Sequence, residues 1–236
     1  MIAEFSPTID EGALHQGAER LRTTGVVRVP DFLDPAAAEA LATSLQDDLE
    51  WNLATCLHSK AWDATPAEQE AIGLERMEAM AMAGKVDDFR YLFDVVRIDD
   101  DPRVRRERGL LIDQLAEVWH RPEVLDLWSQ LCGRGRVTDL TINATRYRHG
   151  HFLTRHADAE NPRRLAAFTL SLSKEWRAEW GGLLHFLGDD GDVKQSFAPS
   201  FNSLVMFHVP REHFVSAVAA YAPAPRLTIS GWLMSG

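Results

Sequence analysis

The feature that most restricts the fold of this chain is a change of sequence pattern near residue 137. From there to the end, short β-type runs follow one another, with turn clusters such as DAENP, GDDGD and APAP between them. The runs are VTDLTINATRYRH, RLAAFTLSLSKEW, GGLLHFL, VKQSFAP, NSLVMFHV, HFVSAVAAY and RLTISGWLM. No long helical segment separates them, so the pattern predicts an antiparallel sandwich or jelly roll rather than a parallel sheet.

The first half has a different character, with helical segments around a few extended ones. Asp34 and Pro35 form an N-cap followed by proline at the first helical position. Thr65 opens a predicted helix that runs to Gly84. The run DPRVRRERGLLIDQLAEVWHRPEVLDLWSQLCG predicts two further helices broken at HRP, and FRYLFDVVRI is typical of a buried strand.

We therefore predict one domain over residues 1–236, of the α+β class with a mainly β catalytic core. Residues 1–136 form a helical and mixed support. Residues 137–236 form the jelly roll, a double-stranded β-helix of the cupin-like type that carries the functional site. Segments 52–66 and 149–154 are predicted loops that define the substrate.

The charge balance excludes one class of function. Lys and Arg number 25 against 35 Asp and Glu, so the net charge is -10 and the pI is about 5.3. Nucleic-acid binding needs clustered basic residues, so we expect no nucleic-acid partner, whereas an acidic surface suits a basic protein partner. The N-terminus has no signal-peptide pattern and no apolar run could span a bilayer, so we expect a cytoplasmic protein without a membrane partner. Cys56 and Cys132 form no CxxC motif, which argues against a Cys-rich zinc site.

A metal-binding motif lies at the end of the stretch RYRHGHFLTRHAD, where one residue separates His156 from Asp158. A ferrous site with open positions for O2 and substrate uses two histidines and one carboxylate on one face of the ion. Because residues i and i+2 of a strand point the same way, His156 and Asp158 are predicted to reach one ion while Ala157 points away. The third ligand must come from a later strand.

Three downstream histidines, His185, His208 and His213, are candidates for that ligand. His213 fits best, because it opens the run HFVSAVAAY and precedes Arg226 in RLTISGW, which completes an ordered set of H-x-D, distal His and R-x-T. Arg226 can offer a two-pronged fork to a carboxylate cosubstrate, and Thr228 shares its face and can donate a hydroxyl. The rival is His208, whose apolar run is more typical of a core or pocket-lining histidine.

His149 and His151 form an H-x-H pair of the kind that binds metal in cupins. Such a motif needs a glutamate a few residues later, and FLTR has none. Gly150 between them indicates a turn or bulge. We therefore predict that both histidines flank the site and reach toward substrate rather than bind metal.

The stretch 139–233 resembles the Fe(II)/2-oxoglutarate-dependent dioxygenases of the prolyl hydroxylase type, and is most similar to the catalytic domain of the ribosomal-protein prolyl hydroxylases. The resembling segments are TRYRHGHFLTRHAD, RRLAAFTLSLSKEWRAEWGGLLHF, APSFNSLVMFHVPREHFVSAV and RLTISGW. The resemblance implies that His156, Asp158 and His213 are the iron ligands. It also implies that Arg226 pairs with the distal carboxylate of 2-oxoglutarate and that Tyr147 lines the cosubstrate pocket.

The resemblance implies a hydroxylase that uses Fe(II), 2-oxoglutarate and O2, with ascorbate as an additional reductant. The expected substrate is a prolyl residue of a protein, with ribosomal proteins among the candidates. One alternative is the same chemistry on a free amino acid or a natural-product small molecule, and another is a non-catalytic metal-binding module of the cupin type. The sequence leaves the oligomeric state open.

One position departs from the family pattern. The family usually has a tyrosine that hydrogen-bonds the cosubstrate carboxylate, and here Ser171 stands at that position before Leu172. A serine keeps the hydroxyl but lacks the reach. We therefore expect a water, Thr228 or another side chain to fill the gap.

Overall fold

The structure, a computed structural model, describes residues 5–57, 60–83 and 88–236. Its helices are α1 Glu11–Thr24, α2 Pro35–Asp47, α3 Pro66–Ile72, α4 Leu74–Met82, α5 Pro102–Arg108, α6 Leu111–Trp119 and α7 Pro122–Cys132. Its strands are β1 Val26–Val29, β2 Asn52–Leu57, β3 Lys60–Ala64, β4 Tyr91–Arg97, β5 Asp139–Tyr147, β6 Phe152–His156, β7 Arg164–Ser171, β8 Leu184–Leu187, β9 Val193–Phe197, β10 Ser203–His208, β11 His213–Val215 and β12 Arg226–Met234. No helix within these ranges is long and apolar enough to cross a membrane.

All the strands belong to one antiparallel sheet that curls on itself. Its order is β1-β10-β7-β12-β5-β4-β6-β11-β8-β9, with β2 on the other edge of β4 and β3 beyond it. The curl occurs at β4, where Asp94–Arg97 pair with β5 while Tyr91 and Leu92 pair with β6. The two halves of the sheet therefore face each other, which confirms the predicted double-stranded β-helix with supporting helices.

Alternation along the strands separates an apolar outer face from a functional inner face. The outer face packs against the helices through large buried rings, among them Trp119, Trp128 and Phe168. The inner face carries a second apolar cluster that includes Phe186 and Phe207. The functional site must therefore lie inside the curl, because the helices cover the outer face.

A row of hydroxyl side chains crosses the inner face of the larger half-sheet. Thr145 of β5 lies opposite Thr228 of β12, Thr228 lies opposite Ser171 of β7, and Ser171 lies opposite Ser203 of β10. All four residues are buried. The register of four strands thus builds a polar floor that no single segment of the sequence reveals.

Several predicted elements need correction. The helix predicted from Thr65 is two helices, because Gly73 has a positive φ of 88° between α3 and α4; its predicted end at Gly84 lies outside the described residues. The two helices predicted before residue 133 are three, because Gly109 ends α5 in the left-handed conformation. The loop predicted over 52–66 contains the β2–β3 hairpin, and only His213–Val215 of the run HFVSAVAAY form a strand.

Gly231 is required by the close approach of β12 to β5, so the Gly231→Ala substitution is expected to destabilise the protein. A Cβ at this position would lie 1.7 Å from the Thr141 carbonyl oxygen and 3.1 Å from Phe168 Cζ. Overpacking of this kind costs about 1–3 kcal/mol of unfolding free energy. Urea denaturation measures the loss, and Gly12→Ala in the exposed first turn of α1 is the control. An unchanged midpoint for Gly231→Ala would contradict the described packing.

Candidate active site

His156 and His213 lie directly opposite each other on neighbouring strands. β6 ends at His156, β11 begins at His213, and the antiparallel register pairs the two residues. Their ring centroids are 4.0 Å apart. The structure therefore brings together two histidines that are far apart in the sequence.

Asp158 completes the cluster, although not by the strand alternation that the sequence analysis assumed. It lies two residues beyond the end of β6, with a φ of 57°. Aspartate tolerates this left-handed conformation better than most residues do. The turn brings one carboxylate oxygen to 3.7 Å from His156 Nε2 and the other to 3.7 Å from His213 Nε2.

Backbone carbonyls orient both imidazoles. His156 Nδ1 lies 3.0 Å from the Thr154 oxygen and His213 Nδ1 lies 2.7 Å from the Arg211 oxygen. A proton on each Nδ1 is donated to its carbonyl, which leaves each Nε2 lone pair aimed at Asp158. Burial also lowers the pKa of His213 to about 4, which favours the neutral imidazole that metals bind.

The donor set suits a ferrous ion. The three ligand atoms, two imidazole nitrogens and one carboxylate oxygen, lie within 4.8 Å of one another. This composition is that of a facial triad with open coordination positions. The two rival histidines are engaged elsewhere, since His208 Nε2 is 2.8 Å from the Cys132 oxygen and His185 Nδ1 is 2.7 Å from Ser196 Oγ.

A cavity of about 370 Å³ opens on the cluster and contains Arg226 in its wall. Arg226 begins β12 and is only 5% exposed, and its Nε has no hydrogen-bond partner among the described residues. Burial lowers its pKa, and no carboxylate of the described part of the chain opposes that effect. A buried guanidinium without an acidic partner is costly, so this position indicates an anionic ligand.

The other two predicted cosubstrate residues, Tyr147 and Thr228, also line the cavity. The Tyr147 ring lies 5.0 Å from the Arg226 guanidinium, and burial raises the pKa of Tyr147 to about 12, so its hydroxyl stays protonated. Thr228 Oγ1 is 2.5 Å from Thr145 Oγ1. One of these two hydroxyls donates to the other, so only one proton of the pair is left for a ligand.

An aromatic ladder that the sequence analysis missed forms one wall of the cavity. Phe89, Tyr91 and Phe93 follow one another with ring centroids 5.3 and 5.5 Å apart, and Phe93 stacks on Tyr147 at 5.1 Å. Phe89 is 44% exposed and its ring is 5.1 Å from that of His156. The alternation of aromatic residues at 89, 91 and 93 was the available signal, because alternate residues of a strand share a face.

The cavity lining also contains a cation, Arg164, that the sequence did not point to. The Arg164 guanidinium lies 3.9 Å from the centroid of the Trp232 ring. Arg164 Nη1 is 3.2 Å from Glu160 and 3.5 Å from Asp158. Arg164 is therefore held beside Asp158 at the edge of the His156–Asp158–His213 cluster, where it can contact a bound molecule.

His149 and His151 do not reach the cavity. His149 Nε2 is 2.7 Å from the Ala222 oxygen, while His151 is fully buried and neither ring nitrogen has a partner among the described residues. Burial lowers the pKa of His151 to about 4. The structure thus turns both histidines away from the substrate side that was predicted for them.

Comparison with known proteins agrees with this chemistry. Residues 142–234 match the family model of the 2OG-Fe(II) oxygenase superfamily. No curated protein sequence matches the chain.

Solved structures share the fold. A Pseudomonas putida prolyl-4-hydroxylase superposes with a TM-score of 0.61 and 19% identity, over 94% of this chain and 99% of that one. A Trichoplax adhaerens prolyl hydroxylase in complex with a hypoxia inducible factor peptide gives 0.61 and 18%, over 96% and 94%. The epimerase SnoN in complex with Fe3+, alpha ketoglutarate and nogalamycin RO gives 0.57 and 18%, over 96% and 85%.

Proposed function

We propose that the chain is an Fe(II)/2-oxoglutarate-dependent dioxygenase, whose family model residues 142–234 match, and that it hydroxylates a prolyl residue of a protein. One observation carries the proposal: a cluster of two histidines and one carboxylate opens on the same cavity as a buried arginine that has no acidic partner. A site built for non-catalytic zinc would have no need of that arginine. The prolyl substrate is the finer part of the proposal, and it rests on the walls of the cavity and on the structural relatives.

His156, Asp158 and His213 are the proposed iron ligands. The bound iron would couple O2 reduction and oxidative decarboxylation of 2-oxoglutarate, which gives succinate and CO2, to hydroxylation of a substrate C–H bond. The chain's own contribution is to fix the tautomer of both imidazoles, because the Nδ1–H bonds to the Thr154 and Arg211 carbonyls leave Nε2 as the nitrogen that can bind the ion. These bonds also fix the ring planes before any ligand arrives.

Arg226, Tyr147 and Thr228 are the proposed cosubstrate residues. Arg226 would pair with the distal carboxylate of 2-oxoglutarate in a site shielded from water, where a charge-assisted bond is strong. Tyr147 covers the guanidinium on one side and supplies a protonated phenol. The arrangement orients the cosubstrate and keeps water away from its carboxylate.

Support for a prolyl substrate comes from the mouth of the cavity. Phe89 exposes an aromatic face beside His156, and Arg164 lies against Trp232 in the lining of the same cavity. An apolar ring such as proline can pack on an exposed aromatic face, while the guanidinium of Arg164 can donate to a peptide carbonyl. Two structural relatives are prolyl hydroxylases, one of them in complex with a peptide fragment, and the net charge of -10 suits a basic segment such as those of ribosomal proteins.

A polar small molecule is the second candidate substrate. The cavity floor beyond Arg226 carries Asn143, Thr169 and Ser230, and Thr169 Oγ1 has no partner among the described residues. Hydroxyl and amide groups on a floor favour a substrate with several hydrogen-bonding groups. SnoN, a relative of this fold, is in complex with nogalamycin RO.

Mass spectrometry separates the two candidates. The full chain, reconstituted anaerobically with Fe(II), would be incubated with 2-oxoglutarate, O2 and a panel of prolyl peptides that includes basic ribosomal segments. We expect one peptide to gain one oxygen, and the same peptide with alanine in place of proline to gain none. Oxidation of a free amino acid or natural product with no peptide modified would overturn the prolyl assignment.

Phe89→Ala is expected to raise the KM for the peptide substrate about 2- to 10-fold, which corresponds to the loss of one aromatic contact. Because Phe89 is exposed, the Tm should change little, and because it lies away from Arg226, uncoupled 2-oxoglutarate decarboxylation should stay at the wild-type rate. Tyr221→Ala, which removes a 68% exposed tyrosine outside the cavity lining, is the control. Equal KM values for Phe89→Ala and Tyr221→Ala would show that Phe89 does not contact the substrate.

A further inference from the structure

A second, much smaller cavity of about 10 Å³ lies beside the main one. Its polar lining includes one residue from each of four strands: Arg28 of β1, Ser171 of β7, Ser203 of β10 and Arg226 of β12. Thr169 and Arg226 border both cavities, so the small cavity adjoins the carboxylate site that we assign to Arg226. Two guanidinium groups therefore border the same small space.

Several buried side-chain atoms of the residues around this space have no protein partner among the described residues. Ser171 Oγ, Ser203 Oγ, Arg28 Nε and Arg226 Nε are all buried and make no hydrogen bond within the described ranges. Ser171 and Ser203 are 6% and 3% exposed and lie opposite each other in the strand register. Because an unsatisfied buried polar group costs free energy, four such atoms around one cavity indicate a small polar occupant.

Arg28 brings a charge that no carboxylate of the described residues neutralises. It lies opposite Val205 on β10, donates from Nη2 to the Ala198 carbonyl at 2.6 Å, and lies 4.8 Å from the Phe197 ring centroid. Burial lowers its pKa, and no acidic group offsets this effect. The contacts with Ala198 and Phe197 hold the guanidinium in place without compensating its charge.

We propose that Arg28 is a positioning residue for the cosubstrate. It acts on the distal carboxylate of 2-oxoglutarate indirectly, across the small cavity, through hydrogen bonds that involve Ser171, Ser203 and one water molecule. This inference rests on the proposed function. The cavity volume suits a single water, and such a water needs two to four polar partners, which the two hydroxyls and Arg28 Nε supply. Arg226 would donate hydrogen bonds to one side of the carboxylate. The two serine hydroxyls and the water would donate to its remaining lone pairs.

This arrangement accounts for the serine at position 171. A short hydroxyl there leaves space for the water, and the water passes the hydrogen bond on toward Arg28. The cosubstrate therefore meets two cations instead of one, and only a dicarboxylate would benefit from the second. Arg28 should accordingly affect cosubstrate affinity and the preference for a distal carboxylate, with little effect on turnover at saturation.

The test is a binding titration in which both the protein and the ligand are varied. The full chain is loaded with Mn(II), and the affinities of 2-oxoglutarate and of 2-oxobutyrate, which lacks the distal carboxylate, are measured by calorimetry for wild type and Arg28→Met. We expect Arg28→Met to weaken 2-oxoglutarate on the order of tenfold, the equivalent of one charge-assisted hydrogen bond, and to leave 2-oxobutyrate unchanged. Ser171→Ala should give a smaller loss, and the double variant should lose less than the sum of the two effects. Arg22→Met, on the exposed face of α1, is the matched control.

The possible results distinguish failure of the proposed function from failure of the role of Arg28. Wild-type protein that fails to bind 2-oxoglutarate would overturn the proposed function itself. If wild type binds 2-oxoglutarate and Arg28→Met binds each ligand with the wild-type affinity, only the role of Arg28 is overturned. If Arg28→Met loses the same factor of affinity for both ligands, Arg28 has a structural role only. Should Arg28→Met fail to fold, Arg28→Lys and Ser203→Ala provide the same comparison.

Discussion

His213→Ala is expected to abolish 2-oxoglutarate-dependent oxygenation and to weaken metal binding by at least about a hundredfold. Loss of an outer-shell partner alone costs about 10- to 100-fold in metal affinity, and His213 is one of only three proposed ligands. Its removal also leaves the Asp158 carboxylate facing a single imidazole. Metal content after dialysis and succinate formation from 2-oxoglutarate are the two measurements.

The control for this variant is His185→Ala. His185 was a ligand candidate in the sequence, but its Nδ1 contacts Ser196 Oγ and its ring stacks on Phe214 at 4.5 Å. We expect its removal to leave metal content and activity at wild-type levels. Retained Fe(II) binding in His213→Ala together with loss in His185→Ala would reverse the assignment of the third ligand.

Arg226→Met is expected to change cosubstrate affinity and protein stability in opposite directions. The substitution removes the only direct cationic partner proposed for the distal carboxylate, so the Kd of 2-oxoglutarate should rise about 10- to 100-fold. It also removes a buried guanidinium that has no acidic partner, so the ligand-free protein should gain about 1–3 kcal/mol of unfolding free energy. A buried charge whose partner belongs to the ligand lowers the stability of the ligand-free protein, which is a common trade-off between stability and function.

Arg105→Met supplies the contrast. Arg105 is also buried, but its Nη2 is 2.8 Å from Glu117 and its Nη1 donates to the Asp99 carbonyl at 2.7 Å. Its loss should destabilise the protein by about 1–3 kcal/mol and leave 2-oxoglutarate binding intact. Calorimetry and urea denaturation of both variants check the prediction. A destabilised Arg226→Met would show that Arg226 has a structural partner.

The cluster of His156, Asp158 and His213 could be predicted from the sequence, but the turn that completes it could not. The spacing of His156 and Asp158 and the position of His213 at the head of a β-type run carried enough information to predict a site. The physical reason given for the spacing was wrong, since Asp158 leaves the strand and turns back at positive φ. A left-handed aspartate after a strand has no periodic signature, so sequence alternation could not reveal it.

The row of buried hydroxyls and the aromatic ladder were harder to predict from the sequence. Thr145, Ser171 and Ser203 come from strands far apart in the chain, and only the register of the sheet places them in one line. Register depends on side-chain packing across strands, which a single sequence does not specify. Arg28, on the short strand β1, gave no signal because its neighbours are valines and its partner strand lies far along the chain.

The register between His156 and His213 has a consequence for the dynamics of the sheet. β11 has only three residues and lies between β6 and β8. An ion held by both histidines would cross-link β6 to β11, and the free energy of binding would become resistance to local opening, about 2.7 kcal/mol at a hundredfold excess of ion over Kd. Hydrogen exchange at the amides of Phe214 and Val215 should therefore slow when metal is added, before any cosubstrate binds.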